Sequence, residues 1–136
     1  MKRVLTIISA FLLTFCFAAE AYAQTYWSQG NIPSLSGEVI LTDNVTQTGT
    51  INVWEGATLT IDLNGHSITY VPKGEEKVVL FCAAGGTLRI KDSKGGGYIS
   101  GSGMSDNGGC AHIVGKFYLE SGTLKNGYAI RGGGVF

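Results

Sequence analysis

Charge is what this sequence has least of. Ten Lys and Arg residues balance ten Asp and Glu residues, and charged residues make up only 15% of the chain. Nothing gathers the basic side chains into a patch. A protein that grips nucleic acid needs such a patch to displace the counterions of the phosphate backbone, so nucleic acid is excluded as a partner. Histidine is nearly absent: His66 and His112 are isolated from each other in sequence, and two isolated histidines do not make a metal site. Helical periodicity is missing outside the first segment. Familiar catalytic phrases are missing too. Gly95-Gly96-Gly97 and Gly132-Gly133-Gly134 run into no helix and lack the Lys-Ser or Lys-Thr of a phosphate-binding loop. Gly101-Ser102-Gly103 lacks the spacing of a nucleophile elbow.

What is present begins with an export signal. Lys2 and Arg3 precede an apolar run from Val4 to Ala19, and Ala21-Tyr22-Ala23 supplies small residues for a signal peptidase. Residues 1–23 therefore read as a signal peptide cleaved before Gln24. The run is too short for a good membrane anchor, and Phe15 before Cys16 argues against a lipoprotein. The expected location is outside the cell or on its surface. All 21 glycines fall after this segment, and with Thr, Ile, Val and Leu they indicate short strands separated by tight turns.

Those strands repeat. Thr58-Leu59-Thr60-Ile61, Thr87-Leu88-Arg89-Ile90 and Lys116-Phe117-Tyr118-Leu119 each begin 29 positions after the one before. In each, two apolar residues flank a polar or amphipathic one, the period-two pattern of a strand with one buried face. An apolar strand precedes each copy: Ile51-Asn52-Val53, Val79-Leu80-Phe81, then Ala111-His112-Ile113-Val114. A third short strand follows each: Ser67 to Tyr70, Tyr98 to Ser100, Thr123 to Lys125. Three short strands per unit at constant period suit a parallel coil of about three rungs stacked on one another. An antiparallel sandwich has no reason to keep the offset. The expected fold is a short right-handed parallel β-helix over residues 49–136. Its buried set is Ile51, Val53, Leu59, Ile61, Leu63, Ile68, Val79, Phe81, Leu88, Ile90, Ile99, Phe117 and Leu119. Residues 24–48, with Trp27 and Pro33, are expected to cap the first rung. Trp27 and Trp54 read as cap or core residues, the alternative being a stacking platform for sugars. Gly132 to Phe136 resembles Gly108 to Ala111, so a fourth rung is expected to begin there. That ending implies a fragment of a longer coil or an open rung available for self-association.

The stretch from Leu59 to Ile68, the stretch from Gly86 to Ser93 and the Gly133-Gly134-Val135-Phe136 ending resemble phrases of bacterial right-handed β-helix proteins of the pectin-lyase-like class. The resemblance covers roughly residues 37–136 and is closest to adhesin-like surface proteins of gut bacteria. It implies a non-catalytic scaffold whose ligands are glycans or host surface proteins, with no cofactor. The alternative it leaves is a polysaccharide lyase or hydrolase, degenerate or truncated before its active site. Pectate lyases of this class bind calcium through carboxylates and use a basic residue as proton acceptor.

Few residues answer to that chemistry. Asp62 and Asp92 lie at nearly equivalent places after the second strand and form the one carboxylate pair to check. Both also sit in ordinary turn sequences, Asp-Leu-Asn-Gly and Asp-Ser-Lys-Gly, where Asp bonds the local backbone. Arg89 alternates outward between Leu88 and Ile90. Cys82 and Cys110 flank the first strands of consecutive rungs, 28 positions apart. They read either as a rung-to-rung disulfide, which oxidising surroundings permit, or as two small buried hydrophobes. No catalytic, cofactor or metal residue stands out beyond these.

Overall fold

The computed structural model describes residues 24–75, 78–101, 104–107 and 109–136. The segment 1–23, read above as an export signal, lies outside the described residues. All regular structure among the described residues is β. In chain order the strands are β1 (Gln24–Trp27), β2 (Gly37–Leu41), β3 (Val45–Gln47), β4 (Ile51–Val53), β5 (Thr58–Asp62), β6 (Ser67–Tyr70) and β7 (Leu80–Cys82). Then follow β8 (Thr87–Lys91), β9 (Tyr98–Ser100), β10 (Met104–Asn107), β11 (Ala111–Ile113), β12 (Lys116–Leu119), β13 (Thr123–Lys125) and β14 (Tyr128–Arg131).

Every strand pairing among the described residues is parallel, which removes the antiparallel sandwich. The order β1-β2-β5-β8-β12 makes one sheet, β11-β7-β4 a second, β13-β9-β6-β3 a third, and β10-β14 a two-stranded fourth. Parallel neighbours cannot be joined by a hairpin; the chain must leave and return. Here it leaves by laying strands in the other sheets. It passes through β4, β5 and β6, then β7, β8 and β9, then β11, β12 and β13, visiting the three larger sheets in turn.

The central sheet keeps the repeat. Leu59 pairs with Leu88 and Leu88 with Phe117; Ile61 pairs with Ile90 and Ile90 with Leu119. Each set stands in one column, so the 29-residue offset is the stacking register of β5, β8 and β12. Leu59, Ile61, Leu88 and Ile90 are fully buried, each side chain contributing about 1.5–3 kcal/mol by leaving water. The last copies differ from expectation. Phe117 is only half-buried and Leu119 is 44% exposed. Their strand, β12, is the edge of the sheet among the described residues.

The first strand of the second unit also departs from the expected alternation. Leu80 and Cys82 point inward and are fully buried, while Phe81 lies outward and half-buried. The stack puts Ile51 against Leu80 and Val53 against Cys82, again 29 apart. The expected strand Val79-Leu80-Phe81 lies one residue ahead of the observed Leu80–Cys82, and a slip of one residue exchanges the two faces of a strand. Val79 is buried as expected, just ahead of the strand. All other members of the expected buried set are fully buried.

Residues 24–48 add strands to the ends of two sheets, β1 and β2 to the central sheet and β3 to the four-stranded one. β2 pairs with β5, β1 with β2, and β3 with β6. Trp27 is buried and donates its indole N–H to the Gly30 carbonyl at 2.9 Å, so it is structural. β4 lies at the edge of its own sheet and gains no such strand. At the other end Val135 bridges Ala111 in parallel, so the ending does begin to extend the three-stranded sheet.

Candidate functional site

The two aspartates expected at equivalent places both sit at the corner between the central and four-stranded sheets. Asp62 accepts from the Asn64 N–H in its own turn at 2.9 Å and from the Ser93 N–H of the next turn at 3.0 Å. Asp92 accepts from the Gly97 N–H in its own turn and from the Gly65 N–H of the preceding turn, both at 2.7 Å. Each carboxylate thus serves its own turn and its neighbour's. Burial pushes the Asp92 carboxyl up, but the backbone amides of Gly65, Gly97, Gly95 and Lys94 together outweigh it and hold the group below its ordinary value. Sequence makes these turns possible: Asn64 and Gly65 take positive φ, 49° and 81°. Gly97 leaves room that a Cβ would fill, at 2.7 Å from the Leu63 side chain and 2.9 Å from the Asp92 carboxyl carbon. The arrangement is structural chemistry, and it leaves Asp62 and Asp92 little capacity for a ligand.

The structure does bring carboxylates to a basic residue, with a different membership. On the outer face of the central sheet the Lys91 ammonium contacts the Glu38 carboxylate and lies 3.8 Å from Asp62 Oδ2. Gln24 Nε2 donates to the other Glu38 oxygen at 3.0 Å. The Lys91 and Gln24 hydrogen bonds hold Glu38 below its ordinary range, and Glu38 in turn pushes Lys91 up. Beside them Arg89 bonds Glu120 at 2.8 Å and lies 4.2 Å above the Tyr118 ring. A shallow groove of about 490 Å³ runs here, lined by Gly37, Glu38, Thr58, Thr60, Lys91 and Glu120. Glu38, Lys91 and Glu120 were not singled out from sequence. The repeat carried part of the signal: Asp62, Lys91 and Glu120 recur at the same 29-residue interval as the core residues, which puts alternating charges in one outward column. Glu38 belongs to a strand off that interval.

A second constellation lies on the outer face of the three-stranded sheet. Trp54 and Phe81 rings sit 5.9 Å apart between centroids, Phe81 and His112 5.5 Å, His112 and Phe136 5.6 Å, each pair edge to face. Phe81 and His112 are in register, with Asn52 paired to Phe81 on the far side. Trp54 is 57% exposed and Phe136 48%. Trp54 is therefore no core residue, which corrects the structural reading given to it above.

The remaining expectations resolve simply. Cys82 and Cys110 are both free and buried. Ala111 pairs with Leu80, so Cys110 precedes the register partner of Leu80 while Cys82 lies two residues beyond Leu80. That stagger of three residues is roughly 10 Å along the strands, too far for a disulfide. Each thiol instead approaches a carbonyl, Cys82 that of Lys116 and Cys110 that of Lys125, and burial pushes both thiols up. His66 lies in the turn ahead of β6 of the four-stranded sheet, and His112 lies in β11 of the three-stranded sheet. Among the described residues no cluster of His, Cys, Asp and Glu could hold a metal ion, and no helix is long and apolar enough to cross a membrane. Set beside known proteins, the chain matches no family model, no curated protein and no solved structure.

Proposed function

We propose that this chain is a right-handed parallel β-helix of an exported protein, and that it presents a binding surface rather than a reaction centre. Passage through three parallel sheets in turn supports the β-helix, and parallel crossovers are right-handed in nearly all proteins. Export rests on the signal-like segment 1–23, and an adhesin-like role on the resemblance of residues 37–136. The observation that carries the binding reading is the commitment of the acidic groups. Asp62 and Asp92 serve turn amides, and Glu38 and Glu120 are neutralised by Lys91 and Arg89. The ligands are glycans or host surface proteins. The test is to express the full chain with its leader in a bacterial host and sequence the exported product. That product is then incubated with cell surfaces and with polysaccharides. A new N-terminus at Gln24, retention on a surface or glycan and no release of reducing or unsaturated ends are expected. Turnover would overturn the reading.

One observation favours the alternative, a polysaccharide lyase or hydrolase. Glu38 and Lys91 line a groove on a sheet's outer face, and the buried Asp62 carboxylate lies 3.8 Å from the Lys91 ammonium. Lys91 is poorly suited to accept a proton there, because Glu38 pushes its pKa above the usual lysine value. Product release from pectin-like glycans that stops in Glu38→Gln and Asp62→Asn variants would establish this reading in place of the first.

A further inference from the structure

No further inference is drawn: the strongest candidate, the aromatic row of Trp54, Phe81, His112 and Phe136 on the outer face of the three-stranded sheet, stands ring edge to ring face, and nothing in the structure shows what covers it.

Discussion

Ile90 and Leu119 make the same pattern and meet different fates. They stand in register in one column of the central sheet, each the second apolar residue of its repeat. Ile90 lies between Ile61 and Leu119 and is fully buried; Leu119 has a neighbour on one side only and is 44% exposed. Alternation decides which face a side chain takes. A layer on both sides decides whether that face is dry. Core strength in a stacked sheet is therefore a property of position in the stack, and the interior layer carries most of it.

Substitutions can break this contrast. Ile90→Asp should abolish cooperative melting, since it places an unpaired charge among Leu59, Ile61 and Leu88, whereas Leu119→Asp should leave a folded chain with a modestly lower midpoint. Equal damage at both positions would contradict the positional account. Truncation sharpens it: Ile90→Ala should cost about 2–5 kcal/mol and Leu119→Ala no more than about 1 kcal/mol, read from denaturant midpoints.

Next in size is the corner. Asp92→Ala leaves the Gly65 and Gly97 amides without their acceptor, a loss of about 3–6 kcal/mol for two hydrogen bonds to a charged group. The same carboxylate sets an acid limit. Its folded pKa lies below the ordinary 3.8, so its contribution is complete above that value and fades as pH falls through the lower folded one. Glu38, held below 4.5, acts in the same direction. Urea midpoints should fall below pH ~4 in the parent, and the fall should be shallower in Asp92→Asn. Lys91 acts in the opposite sense: its pKa is raised above 10.5, so its share is complete below that value and is lost as pH rises through the higher folded one. The smallest effect belongs to the surface. Arg89 and Glu120 are 40% and 47% exposed, so Arg89→Ala should change stability by no more than about 1 kcal/mol and by less in high salt.

Three strands of the central sheet, β5, β8 and β12, are legible in the sequence because their repeat is strict. The offset from Leu59 to Leu88 to Phe117 identified the inward columns and their register. The three-stranded sheet was harder. Val79, Leu80, Phe81 and Cys82 are all apolar, so alternation alone could not say which pair faces inward, and only the stacking register chose Leu80 and Cys82. The pairing of β10 with β14 carried no periodic signal. The aromatic row was also hidden. Its members are separated by unequal stretches of chain, because loops of different length intervene between layers, and a search at one interval passes over them. At the corner Asp62 and Asp92 were legible as turn residues, but the partners they take across layers depend on the stack.

That exchange of partners has a mechanical side. Asp62 reaches forward to Ser93 and Asp92 reaches back to Gly65, so the two turns are stitched in both directions. A tension that peels one turn from the next loads both stitches at once rather than one after the other. Pulling the layers apart along the stack would therefore load both carboxylates of this corner together.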